Sequence, residues 1–195
     1  MARAFWDQRF SGDEFLFGSE PNEYVVETCS DLEPTEALDL GCGEGRNAVW
    51  LAAQGHRVTA VDVSPVGLAK AAQLAAAREV AVDWVCVNLG EYEPAPQSFG
   101  LVVLSYIHVD PALRVPLHVK AARSLLAGGR LVVVGHHVRN VEEGIGGPQN
   151  PDILLTEEQM QADFEGLSII RNETVEREVP GASVTALDLV FVATA

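Results

Sequence analysis

Three glycines at alternate positions, Gly41, Gly43 and Gly45, follow a short apolar run, with Asp39 two residues ahead of them and Arg46-Asn47 behind. Alternating glycines let a backbone turn tightly and lie against a ligand with no Cβ atoms in the way. Asp62 closes the next apolar run, 21 residues after Gly41, where a carboxylate can grip the hydroxyls of a ribose. Asp39, beside the first glycine, suits a cationic group on the same ligand. The spacing is not the dinucleotide fingerprint GxGxxG, because the third glycine there would fall at Arg46, a poor fit for pyrophosphate contact and close helix–strand packing. No GK[ST] follows, so a phosphate-cradling P-loop is also excluded. Either aspartate alone could be a strand-end cap; flanking one glycine loop, the two favour a ligand.

The histidines offer acid–base chemistry. His108 follows the fourth apolar run and His136-His137 end the fifth, so all three reach the carboxyl-end cleft where ligands bind in open α/β sheets. Adjacent strand residues point to opposite faces, so His136 and His137 cannot ligate one metal together, and no metal site is expected. His108 or His137 is the candidate base toward a substrate, histidine having a suitable pKa. His56, ahead of a strand, is expected at the surface, and His118, inside a helix, at the surface or in packing. Cys42 lies in the glycine loop with no basic partner nearby in sequence and reads as a small filler rather than a nucleophile.

The elements that must position these groups alternate apolar runs with helical patterns, the signature of βαβ units and a parallel sheet. Runs fall at 37–40, 57–62, 82–89, 99–107 and 130–134, with two more at 167–173 and 183–194. Helices are expected over 46–54, stopped by Gly55; from Ser64-Pro65 to about Glu79; and from Asp110-Pro111 to Leu126, ended by Gly128-Gly129. Thr156 and Gln159 have the spacing of a capping box. Residues 1–24 hold Phe5, Trp6, Phe10, Phe15, Phe17 and Tyr24, six of the 13 aromatics; such a cluster covers the core edge or a pocket. Residues 138–155 form a glycine- and proline-rich loop long enough to be functional. Ten acids lie between Asn140 and Pro180 against Arg171 and Arg177, the balance of a solvated face.

Composition narrows the class. At 195 residues, 48% hydrophobic and 21% charged, the chain suits one domain with a sizeable core. Thirteen basic against 28 acidic residues leave a net charge of −15, which opposes binding to phosphate backbones or anionic lipid. The N-terminus lacks the apolar core of a signal peptide, and the longest uncharged apolar stretch, 99–109, is about half of the ~20 residues that span a membrane. Three cysteines, Cys29, Cys42 and Cys86, with no CxxC spacing suit a reducing cytoplasm.

An acidic residue, a short apolar step, GxGxG, and an acid ending the second strand together resemble the class I S-adenosylmethionine-dependent methyltransferases. Trp6-Asp7-Gln8-Arg9-Phe10, Gly18-Ser19-Glu20-Pro21-Asn22, Gly45-Arg46-Asn47 and Gly146-Gly147-Pro148 are further similar to the small bacterial tellurite-resistance-like and thiopurine-methyltransferase-like group. The resemblance implies a single doubly wound Rossmann-like α/β domain, with a mostly parallel seven-stranded sheet of order 3-2-1-4-5-7-6, strand 7 antiparallel, and helices on both faces. Residues 1–34 would form an aromatic segment covering the cleft, and 35–195 the S-adenosylmethionine-binding methyltransferase domain. Gly41, Gly43 and Gly45 would approach the cofactor, with Asp39 near its amino group and Asp62 on its ribose. Val63 would lie beside the adenine, Asn88 and Leu89 at the adenine edge, and Ser105 and Tyr106 at the methyl-transfer end. The implied activity is methyl transfer to a small-molecule acceptor, a soft nucleophile (thiol, selenium or tellurium oxyanion) being favoured, with no nucleic-acid or membrane partner. A non-catalytic S-adenosylmethionine-binding sensor or scaffold is the alternative; nicotinamide-dependent reduction is disfavoured by Arg46.

Overall fold

The computed structural model describes residues 2–195. Seven strands form one sheet in the order β3-β2-β1-β4-β5-β7-β6: β1 (Glu36–Leu40), β2 (Arg57–Asp62), β3 (Asp83–Cys86), β4 (Phe99–Ser105), β5 (Leu125–His136), β6 (Ser168–Arg177) and β7 (Ala186–Thr194). The first five run parallel, and β7 pairs antiparallel with both β5 and β6. The expected order and orientation are therefore those observed. β1 and β4 are apolar almost throughout because helices bury both of their faces: Leu38, Leu40, Val102 and Leu104 point into one core, Ala37, Leu101 and Val103 into the other.

Local chemistry sets the helix starts. Ser64 accepts a hydrogen bond from the Gly67 N–H and opens α4 (Pro65–Ala77), and Asp110 accepts from Ala112 and opens α5 (Pro111–Ser124). Thr156 and Gln159 form the full reciprocal capping box of α7 (Glu157–Asp163). The glycine loop enters α3 (Arg46–Ala53) without a side-chain cap, Gly45 standing at φ 84°. Three short helices complete the set: α1 (Ala2–Arg9), α2 (Glu23–Cys29), capped by Asn22, and α6 (Asn140–Glu143).

Several expectations need correcting. β3 covers only Asp83–Cys86 of the run 82–89, since the chain turns at Asn88, whose side chain accepts from the Gly90 N–H. Gly128-Gly129 does not precede β5 but lies in an irregular stretch within it, where the register with β4 shifts. β6 reaches Arg177 although charged residues interrupt its apolar pattern, because it is the edge strand and has one neighbour. His56 is buried, not at the surface: its Nδ1 accepts from the Thr35 N–H, and burial lowers its pKa. His118 is buried too, stacked on Phe164, with Nδ1 2.8 Å from Asp163. Asp163 also takes Arg114 Nε at 2.8 Å, fastening α7 to α5. That acid and Glu157 show that the acidic 140–180 stretch is not wholly a solvated face.

Candidate active site

The glycine loop crosses the carboxyl ends of β1 and β2. Gly41 and Cys42 donate to the Val61 carbonyl, and Asp62 reaches back, its Oδ2 accepting from the Gly43 N–H and its Oδ1 from the Ser64 N–H, each at 2.8 Å. Burial raises the Asp62 pKa against the pull of those N–H groups. Asp39 is 1% exposed, and its Oδ2 is buried without any hydrogen-bond partner. Burial and the neighbouring Asp62 push its carboxyl up to about 7. A buried acid left unpartnered is costly, and a cation brought against it would relieve that cost.

The three glycines are not equivalent. A Cβ on Gly41 would fall 2.0 Å from Ile107 Cδ1 and 3.5 Å from Leu89 Cδ1. A Cβ on Gly45 would fall 2.6 Å from the Ala71 Cβ, so Gly45 faces α4 and serves packing rather than the cleft. Gly43 faces Phe10, whose Cζ would lie 3.3 Å from a Cβ there; a side chain at 43 would meet the N-terminal segment first. Beyond Asp62, a cavity of about 330 Å³ is lined by Val63, Cys86, Val87, Asn88 and Glu91 together with Ala2 and Arg3 of α1. Cys42 is buried with its thiol pKa pushed well up by burial, which suits a filler and not a nucleophile.

The N-terminal segment is fastened onto this loop. Phe10 is 3% exposed, against Gly43 and Gly67. Asp7 takes the Ser64 hydroxyl at 2.6 Å, Arg46 donates to the Phe17 carbonyl, and Glu44 accepts from the Leu16 N–H. Lys70 of α4 donates to the Gly12 and Glu14 carbonyls. Phe5 and Phe17, by contrast, are about half exposed.

At the far end of the cleft the structure assembles a group that sequence reading only partly found. Asp188 of β7 is fully buried. Its Oδ2 accepts from the Tyr106 hydroxyl and from Arg177 Nε, each at 2.6 Å, and its Oδ1 lies 2.8 Å from His136 Nδ1. Burial works against its charge, but these partners outweigh it and hold the carboxyl below its usual range. Tyr106 adopts φ 57°, uncommon for a residue with a side chain, and its hydroxyl pKa is raised by burial and by Asp188. The His108 ring stacks on His136 at 5.3 Å, and the Ser105 hydroxyl is buried without a partner.

Of the two candidate bases, neither is free. His108 Nε2 accepts the His136 backbone N–H at 2.9 Å, and burial brings its pKa down to about 4. His137 turns to the opposite face, as strand geometry requires: its Nδ1 accepts from the Arg139 N–H, and its Nε2 lies 3.0 Å from Glu157. The structure brings His136, not His137, beside His108 and Tyr106. Arg177 is not on a plain solvated face but pairs with Asp188, and sequence distance hides the group, since Tyr106 and Asp188 are 82 residues apart; a lone aspartate in the apolar run 186–193 is the one available signal.

Residues 37–129, close to half the chain, match the family model described as Methyltransferase domain. Over that stretch the chain is similar to methyltransferase domains. The chain is 41% identical over 56 residues to Hemagglutinin 1 of Eikenella corrodens, covering 29% of this chain and 19% of that protein. It is 35% identical over 93 residues to the Ubiquinone biosynthesis O-methyltransferase of Rickettsia felis, covering 45% of this chain and 38% of that one. The matches therefore span about a fifth and about two fifths of these curated relatives. Among solved structures, TehB from Haemophilus influenzae superposes with a TM-score of 0.75 at 13% identity, covering 98% of this chain and 66% of that one. The N-methyltransferase NodS of Bradyrhizobium japonicum, in complex with S-adenosyl-l-homocysteine, gives 0.72 at 18% identity, with 98% of both chains covered. Both share the fold of this chain.

Proposed function

We propose that this protein transfers a methyl group from S-adenosylmethionine to a small-molecule nucleophile. The observation that carries the reading is Asp39, a buried carboxylate with an unpartnered oxygen beneath the glycine loop, opposite which the cofactor's ammonium would sit. Asp62 would hold the ribose hydroxyls, Val63, Asn88 and Leu89 the adenine, and Gly41 the methionine end, with Ser105 where the methyl leaves. When bound, the sulfonium supplies the reactive methyl; the chain's part is to bind and orient, which can lower the barrier by up to ~7–11 kcal/mol. The match to a methyltransferase-domain model and the bound S-adenosyl-l-homocysteine in NodS support this cofactor.

Residues 1–34 would cover the cofactor, a reading supported by Phe10 on the loop and by Ala2 and Arg3 along the cavity. Soft nucleophiles are the first acceptors to try, because the N-terminal motifs resemble the tellurite-resistance-like group. The net charge of −15 suits a small acceptor rather than a nucleic acid, and three free cysteines suit the cytoplasm. Calorimetry with S-adenosylhomocysteine and with NAD tests the reading: the first should bind and the second should not. Asp62→Ala should weaken that binding by about 1.5–3 kcal/mol, the cost of charge-assisted hydrogen bonds; unchanged affinity would remove Asp62 from the site. Binding without methyl transfer to any thiol, selenium or oxygen acceptor would favour the non-catalytic sensor.

A further inference from the structure

Three histidines stand at the carboxyl ends of β4 and β5, and their hydrogen bonds sort them. His108 has its Nε2 lone pair engaged by a backbone N–H, so its remaining nitrogen carries the ring proton and can only donate. His137 has both nitrogens engaged, one by the Arg139 N–H and one by Glu157. His136 differs. Its Nδ1 lies 2.8 Å from the Asp188 carboxylate, close but not aligned as a formed hydrogen bond, and among the described residues nothing bonds its Nε2. A carboxylate at that distance favours the tautomer with the proton on Nδ1, which leaves the Nε2 lone pair open.

The neighbouring loop packs on that ring, which is 8% exposed. Gly147 stands at φ 72°, and a Cβ there would fall 2.7 Å from Nε2 and 2.4 Å from Cδ2 of His136. The ring is confined, because the Asp188 carboxylate lies at one edge while His108 stacks on it and Tyr106 packs against it edge-on at 5.0 Å. Any side chain at 147 would collide with the ring, so the Nε2 edge tolerates only glycine beside it.

We propose that His136, oriented by Asp188, takes a proton from the methyl acceptor, so that the acceptor attacks through an atom bearing one: a hydroxyl, a thiol or an amine. The inference rests on the methyl-transfer reading above and narrows its acceptor class. The acceptor's electron pair forms the bond to the methyl carbon, and the carbon–sulfur bond breaks with its pair remaining on sulfur. The acceptor's proton passes to His136 Nε2 and then to water. Charges sum to a neutral thioether and a methylated acceptor. The groups facing the ring are Tyr106 and His108 from the end of β4, Arg177 from β6 and Asp188 from β7, with Arg46 of α3 acting on Tyr106. Asp188 is the positioning residue. It acts only through His136 and Tyr106.

The ring itself provides a test independent of turnover. Nitrogen-15 spectra of histidine-labelled protein at pH 8, assigned with His136→Gln, should show His136 protonated on Nδ1 and bare on Nε2. In Asp188→Asn the tautomer ratio should move at least tenfold toward Nε2–H. A wild-type ring with its proton on Nε2 at pH 8 overturns the inference, and that measurement stands even if Asp188→Asn does not fold. Methylation then provides the second reading. His136→Gln should slow methylation of catechol, which must lose a proton, by about 100-fold or more at pH 7, with the loss shrinking at high pH. Dimethyl selenide, which has no proton to lose, should change less than about threefold. Equal losses with both overturn the base role, and if neither probe is methylated the ring tautomer decides. S-adenosylhomocysteine affinity keeps the two readings apart: failure of the wild type to bind it defeats the cofactor assignment, while normal binding with the wrong tautomer defeats only this inference.

Discussion

Two aspartates buried to the same degree stand on one sheet and behave in opposite ways. Asp39, on β1, is 1% exposed with one oxygen lacking any partner, and its carboxyl is pushed up to about 7. Asp188, on β7, is 0% exposed, accepts from Tyr106 and Arg177, lies against His136, and is held below its usual range. Burial desolvates both, so what separates them is the number of donors the fold supplies. A binding group must stay short of partners until its ligand arrives; a positioning group must already have them. One end of the cleft is therefore poised and the other locked.

Removing each carboxylate tests the contrast most severely. Asp188→Ala leaves the Arg177 guanidinium and the Tyr106 hydroxyl without their acceptor, and should lower unfolding stability by about 3–5 kcal/mol, as loss of one partner from a buried pair does. A denaturant titration losing less than about 1 kcal/mol would show that the cluster is not locked. Asp39→Asn should do the reverse. A folded-state pKa above the unfolded value means that the folded form holds its proton more tightly, so the wild type loses stability as pH rises from about 4 to about 7 and stays low above that. The asparagine variant, lacking this term, should be about 2–4 kcal/mol more stable than wild type at pH 8. The advantage should fade toward pH 4. It should also bind S-adenosylhomocysteine more weakly, and a variant less stable than wild type at pH 8 would mean that Asp39 already has its cation.

The same contrast governs what could be read from sequence. Asp39, the glycines and Asp62 lie within 24 residues on one βαβ unit, where chain continuity alone brings them together, so the loop was legible, and the sheet order followed from the family resemblance that the loop carries. Tyr106, His136, Arg177 and Asp188 come from four strand ends and meet only through pairing of β7 with β5 and β6. Their association is tertiary, and no periodicity encodes it. His108 and His137 were reasonable candidates by position but not by bonding, because whether a ring nitrogen is free depends on backbone N–H groups that only the folded chain places. The role of Gly45 was obscured similarly: alternation suggests three equal contacts, while Ala71 from α4 claims the space at the third.

The finest test of the comparison is the proton that Asp39 gives up. With a free-state pKa of about 7, its carboxyl is about half protonated at pH 7, and a cation brought against it lowers that pKa. Binding of S-adenosylhomocysteine should therefore release roughly half a proton at pH 7 and almost none above pH 9. Affinity should rise with pH, by up to about tenfold per unit well below 7, and level off above it. Titrations at pH 7 in phosphate and in Tris, whose ionisation enthalpies differ, convert released protons into a difference in observed heat. Asp62, whose pKa burial also raises, adds its own share, so the decisive quantity is the difference between wild type and Asp39→Asn. If both show the same buffer dependence, the proton does not come from Asp39, and the unpartnered oxygen on β1 is not where the ligand's charge sits.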